Sequence, residues 1–197
     1  MAALRPILLH CCCAPCTIFP HKTLCEEGYS PTCFFYNPNI HPYTEFARRL
    51  EAMKVFGFET GAKVLIDERY GLDEFLQAVF GKGDRCLSCY AMRMREAARV
   101  CRDRGPECFT TTLLYSKYQK HERIVESCER AAEEFGVRFV NVDFRQGWKE
   151  GIRESRRMGF YRQQYCGCIF SEQERYAAEK RQGREEAEPK AEQGNTG

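Results

Sequence analysis

The chain has 197 residues, 43% of them hydrophobic, with a formal net charge of only +2 and thirteen cysteines. That length suits one domain with or without a tail, and the apolar share supports a packed core rather than disorder. No apolar run approaches the roughly 18 residues of a membrane span, and so balanced a charge names no class of partner.

The opening "MAALRPILLHCCC" lacks a long apolar region and a small-residue cleavage site, so a cytoplasmic location is expected. "PILLH" reads as a short buried strand, Thr17 to Glu27 as a helix ended by Gly28, and "SPTCFFYN" as a second strand. "NPNIHP" reads as a loop broken by Pro38 and Pro42. The spacing of Phe46, Leu50 and Val55 predicts a helix over "YTEFARRLEAMKVFGF", with Thr44 as its cap. "AKVLID" reads as a third strand, "GLDEFLQAVFG" as a short helix, and "KGDRCLSC" as a loop leading into a helix over Tyr90 to Arg102. "CFTTTLL" is a fourth strand, "QKHERIVESCERAAEEFG" a helix ended by Gly136, "VRFVNVDF" a fifth strand, and "KEGIRESRRMGFYRQ" a further helix. From Ser171 the chain is charged and nearly without apolar residues. It is expected to begin as a helix and then fray, so residues 1–170 form the metal-binding domain and 171–197 a partly disordered tail. Strands alternating with helices predict an α/β fold in one domain, a mostly parallel sheet flanked by helices. Ligands bind such sheets beyond the carboxyl ends of the strands.

The cysteines fall into three groups: Cys11, Cys12, Cys13 and Cys16; Cys86 and Cys89 in "CLSC"; Cys166 and Cys168 in "CGC". Cys25, Cys33, Cys101, Cys108 and Cys128 stand singly in helix or strand patterns and read as small buried hydrophobes. In a reducing compartment, close spacing of thiols points to metal or redox chemistry rather than disulfides. A C-x-x-C turn aims two sulfurs at one centre. Three readings compete. A thioredoxin-like dithiol, Cys13 and Cys16, leaves two groups unused. A structural zinc site of "CLSC" plus "CGC" leaves the first unused. An iron–sulfur centre with a neighbouring metal uses all three.

The motifs "LLHCCCAPC", "FFYNPNIHPYTEFARR", "RCLSCYAMRM", "FTTTLLYSKYQKHE" and "FYRQQYCGCIFS" resemble those of the QueH family, the cobalamin-independent epoxyqueuosine reductases. The resemblance runs from about Pro6 to Phe170 and implies a Rossmann-like sheet of the PP-loop (HUP) type. It implies reduction of epoxyqueuosine to queuosine at the wobble position of tRNA, the last step of queuosine biosynthesis. It also implies a 4Fe–4S cluster, an additional mononuclear iron and an external electron donor. The family's metal-site cysteines correspond to Cys12, Cys13, Cys16, Cys86, Cys89, Cys166 and Cys168. Cys11 is outside that pattern and reads as a core residue at a strand end. A Walker-type phosphate loop is absent from the sequence. Tyr115, Ser116, Asp143, Tyr165 and His10 are candidate proton donors, each with packing or capping as the plainer role.

A tRNA partner needs local positive charge. "RMREAARVCRDR" supplies Arg93, Arg95, Arg99, Arg102 and Arg104. "RQGWKEGIRESRRMGFYR" supplies Arg145, Lys149, Arg153, Arg156, Arg157 and Arg162, with Trp148, Phe160 and Tyr161 interleaved. Of these, Arg153, Arg156, Arg157, Arg162 and Tyr161 are the chosen RNA contacts. Tyr36, Asn37, Asn39 and His41, on the loop after the second strand, are candidates to read the modified base, with a plain turn as the alternative.

Overall fold

The computed structural model describes residues 3–185. Five strands, β1 (Arg5–Cys11), β2 (Tyr29–Phe35), β3 (Lys63–Ile66), β4 (Cys108–Thr111) and β5 (Arg138–Phe139), form one sheet in the order β3-β2-β1-β4-β5. Every pairing is parallel. The expected parallel α/β architecture is therefore present, with the strand order of a doubly wound Rossmann-like sheet. β1 is the central strand, and Ile7, Leu8, Leu9, His10 and Cys11 are all fully buried. A strand covered on both faces needs such a continuous apolar run.

The helices are α1 (Ala14–Glu26), α2 (Tyr43–Thr60), α3 (Leu72–Val79), α4 (Arg85–Arg104), α5 (His121–Phe135), α6 (Trp148–Arg157) and α7 (Ile169–Glu185). α1 packs on α2 and α6, while α4 packs on α3 and α5, so the sheet lies between two helical layers. α7 begins at Ile169, ahead of the expected boundary at Ser171, and runs on into the segment that the sequence assigns to the tail; 186–197 fall outside the described residues.

His10 is the polar residue that central β1 must satisfy. Its Nε2 lies 3.1 Å from the Tyr36 carbonyl, an acceptor only, so Nε2 carries the proton. Its Nδ1 then accepts from the Thr111 hydroxyl at 2.8 Å. The ring thus ties β1 to β4 and to the end of β2. Burial, helped by the Arg93 charge, lowers its pKa to about 3, so it stays neutral. His10 is a strut rather than a proton donor.

Several boundaries differ from those the sequence suggests. "CLSC" is the first turn of α4 rather than a loop, because Asp84 caps that helix by accepting from Leu87 N at 3.1 Å. The fourth strand stops at Thr111, and Thr112–Tyr115 turn into a 3-10 helix that the Thr111 hydroxyl caps by accepting from Leu113 N. The fifth strand has two residues, and Asp143 starts another 3-10 turn over Phe144–Gly147. α2 starts at Tyr43 after Pro42, with no side-chain cap from Thr44. α6 ends at Arg157, and Gly159 with φ +66° turns the chain away.

Cys128 is fully buried on α5, among the core residues. Cys128→Ala is expected to lower stability by roughly 1 kcal/mol, the scale of one small buried group. The urea midpoint should fall with an unchanged m-value.

Candidate metal centre

Three cysteine groups stand at the starts of three helices. Cys13 is the residue before α1, and Cys16 lies in its first turn. Cys86 and Cys89 lie in the first turns of α4. Cys168 immediately precedes α7, and its Sγ accepts from Ser171 N at 3.3 Å. Helix starts present unpaired N–H groups and the positive end of the macrodipole, which favour thiolate.

The Sγ atoms of Cys12, Cys13 and Cys16 all lie within 4.8 Å of one another. Cys12 N donates to the Thr112 hydroxyl at 3.1 Å, and that hydroxyl donates to Cys12 Sγ at 3.4 Å. Thr112 thereby links the end of β1 to the turn after β4, where the strand order reverses. Hydrogen bonding from Cys13 and Cys16, with the charge of Arg93 and the Thr112 hydroxyl, holds the Cys12 thiol well below its usual range. Those same bonds from Cys12 and Cys13 push Cys16 up, and burial pushes Cys13 up.

Cys86, Cys89, Cys166 and Cys168 form the other group. Cys89 is raised to about 12, mainly by burial, and the charges of Cys166 and Cys168 add to this. Cys86 is raised by burial and feels the same two cysteines. Cys89 and Cys168 also share a small apolar cluster with Phe75, Val79 and Phe170. All thirteen cysteines are free thiols. Cys11 points elsewhere: its thiol donates to the Leu9 carbonyl at 3.1 Å and it is fully buried, as expected of a core residue.

A cavity of about 660 Å³ joins the groups, with Cys12, Cys16 and Cys166 in its wall. Gln163 Nε2 donates to Cys16 Sγ at 3.5 Å, and Gln119 Nε2 to Cys166 Sγ at 3.1 Å. α6 supplies Trp148, Gly151, Ile152 and Ser155, a spacing that keeps one helix face on the cavity. A Cβ on Gly151 would lie 2.2 Å from the Tyr115 hydroxyl, so glycine is needed for that approach. Ser171 and Arg175 bring α7 into the same wall.

The candidate proton donors separate. Tyr115 lines the cavity but donates to the Trp148 carbonyl at 3.1 Å. Tyr165 lines it and donates to the His41 carbonyl at 2.5 Å. Burial raises both phenols, Tyr165 to about 12. Ser116 lines the cavity and accepts from Tyr118 N at 3.3 Å. Asp143 is outside the cavity lining, bound to Arg145, whose hydrogen bonds lower it to about 2.

The basic stretches separate as well. Arg93 is buried, while Arg95 pairs with Glu134, and Arg99 and Arg102 pair with acids on their own helix. The first stretch is therefore mostly neutralised. In the second, Arg162 lines the cavity, Arg153 and Arg157 flank Glu154 on the outer face of α6, and Arg156 is exposed. Tyr161 donates to Glu45 and lies under Arg48, off the cavity. Tyr36, Asn37, Asn39 and His41 are all buried, so this loop supports the site rather than facing a ligand.

Three residues at the site carry no mark in the sequence: Arg49, Gln119 and Gln163. Arg49 is 1% exposed and pairs with Glu45 at 2.7 Å. Its other nitrogens donate to the carbonyls of Cys166 and Tyr165 at 2.9 and 3.1 Å. Gln119 and Gln163 fall inside quoted motifs, where their proximity to cysteine in space was not readable.

Comparison with known proteins gives a consistent result. Residues 7–174 match the family model described as Epoxyqueuosine reductase QueH. A protein of that name from Dehalococcoides mccartyi is 39% identical over 171 residues, covering 86% of this chain and 94% of that protein. One from Thermotoga maritima is 39% identical over 184 residues, covering 86% and 91%. One from Acinetobacter baylyi is 34% identical over 174 residues, covering 84% and 79%.

Arg49→Leu would strand the Glu45 carboxylate in the core and free the Tyr165–Cys166 carbonyls. The expected cost is about 3–5 kcal/mol by chemical denaturation. The double variant with Glu45→Leu should recover part of it, and an additive double variant would contradict the pairing.

Proposed function

The chain belongs to the QueH family of epoxyqueuosine reductases, and on that premise we propose that it deoxygenates epoxyqueuosine at the wobble position of tRNA through a thiolate-held iron centre. The chain is an oxidoreductase of queuosine biosynthesis. The observation that carries the metal reading is the triad of thiols, Cys12, Cys13 and Cys16, within 4.8 Å of one another, two of which, Cys12 and Cys16, line the cavity. Thiolate-only donor sets suit iron–sulfur clusters and zinc. Cys86, Cys89, Cys166 and Cys168 match the donor number of a 4Fe–4S cluster. Cys12, Cys13 and Cys16 would hold an additional iron one ligand short of four. When bound, iron in these sets supplies electrons one at a time and Lewis acidity toward oxygen.

The reaction takes two electrons and two protons, breaks both C–O bonds of the epoxide, leaves an alkene and releases water. An external donor supplies the electrons. The chain's own groups bind and orient. Thr112 holds Cys12, and Gln163 and Gln119 fix Cys16 and Cys166. Tyr115 and Tyr165 spend their hydroxyl protons on carbonyls. Among the candidate donors that line the cavity, Ser116 would supply a proton, directly or through water. A cavity of about 660 Å³ is large enough for an extruded base. Tyr118 and Trp148, in edge contact at 5.7 Å, flank it as stacking surfaces. Arg162 at the cavity wall, with the exposed Arg153, Arg156 and Arg157, would meet phosphates, whereas Tyr161 is occupied by Glu45 and Arg48. No helix among the described residues is long and apolar enough to cross a membrane, and a tRNA substrate fits the cytoplasm.

Anaerobically purified protein is expected to be brown, to hold several irons per chain, and to form queuosine from epoxyqueuosine tRNA with a low-potential reductant, as read by nucleoside mass spectrometry. Cys12→Ala and Cys168→Ala should lose iron and at least about 100-fold in activity. Cys11→Ala should keep both. A colourless protein with zinc alone would contradict the reading, as would bleaching by Cys11→Ala.

A further inference from the structure

Arg93 lies one helical turn beyond Cys89 on α4 and is 1% exposed. Arginine keeps its charge in any protein setting, and burying that charge costs several kcal/mol unless an anion compensates it. Arg49, equally buried, has Glu45. Arg93 has no carboxylate partner among the described residues. Its Nη2 donates to the neutral Asn37 Oδ1 at 2.7 Å, and its Nε is buried without a partner. The Asn37 amide in turn donates to the Cys11 carbonyl at 2.9 Å, so the acceptor is itself pinned to β1.

Arg93 lines the cavity with Cys12, Cys16 and Cys166. One cavity wall thus holds the guanidinium together with sulfurs from both thiol groups.

We propose that Arg93 is the buried counter-cation of the thiolate–metal centre, held in place by Asn37 and raising the centre's reduction potential. This rests on the iron reading given above. Adding an electron to an anionic centre is easier beside a fixed cation, and the low-dielectric interior screens little of that attraction.

The test is potentiometry, followed by electron paramagnetic resonance, on anaerobically reconstituted protein. Iron per chain is measured on the same samples. Arg93→Gln removes the charge and keeps an amide donor. Asn37→Asp keeps the guanidinium but places a carboxylate against it. Arg93→Lys keeps a cation. Both charge-cancelling variants are expected to shift the one-electron reduction equilibrium at least tenfold toward the oxidised form, about 59 mV for a one-electron couple. Arg93→Lys should stay within about threefold of wild type. If Arg93→Gln does not fold, Asn37→Asp decides alone. A charge-cancelling variant with wild-type iron content and an unmoved potential overturns the inference while leaving the iron reading intact. A wild-type chain that takes up no iron overturns both.

Discussion

The Arg49 guanidinium is the tie on which the site's assembly depends. It sits in α2, fully buried, and reaches the carbonyls of Tyr165 and Cys166, over a hundred residues later in the chain. Those carbonyls belong to a segment without regular structure between α6 and α7, which has few backbone partners of its own. Gly167 O accepts from His41 N at 2.7 Å and strengthens the same junction. Glu45 neutralises the guanidinium on one side and accepts from Tyr161 on the other. A charge in the core is a costly way to fix a loop, because each ion must be desolvated. It is justified here because the loop carries two of the seven thiols on which the proposed centre draws.

The sheet supplies the rest of the geometry. Strand order reverses between β1 and β4, and the ends of those two strands diverge to leave a crevice. Cys12 and Thr112 face each other across it at hydrogen-bond distance. α1 begins at this same carboxyl edge because it follows parallel β1, and α4 starts after α3 and leads back into β4. Their first turns, and the start of α7, deliver thiols beside unpaired N–H groups. A cluster of thiolates in a buried wall is otherwise unfavourable, since each negative charge raises the pKa of the next. Helix starts, a threonine hydroxyl, two glutamine amides and two buried arginines offset that repulsion.

How much of this the sequence discloses depends on whether the signal is local. The parallel α/β fold was legible because apolar strands and amphipathic helices alternate, and Gly28 and Gly136 mark helix ends by adopting positive φ. The seven thiols were legible as three groups, and Cys11 as a core residue, from the motif resemblance. Their pairing in space was not: nothing in "CLSC" says that it faces "CGC" rather than "CCCAPC". The helical start at Arg85 was missed because the capping aspartate, Asp84, sits inside a glycine-rich stretch that reads as a turn. Arg93 and Arg49 looked like any charge on a helix face. Their burial follows from which face of α4 and α2 meets the sheet and the third thiol group, and that is a property of the tertiary fold. In the loop from Tyr36 to His41 the polar residues are buried, and Asn37 braces β1 and Arg93, which a polar loop sequence does not disclose.

Thiols gathered at a strand crossover, held by second contacts that fix their sulfurs, and opening onto a cavity rimmed by aromatics and arginines, support the proposal of a redox centre presented to a base-sized substrate. The most direct test is a single turnover. Iron-loaded protein is reduced, freed of donor, and mixed anaerobically with epoxyqueuosine tRNA. The account requires queuosine to form in proportion to the electrons stored, at one nucleoside per two electrons, with the centre reoxidised at the same rate. A fully loaded, reduced centre that stays reduced in the presence of substrate tRNA, and yields no queuosine, would contradict it.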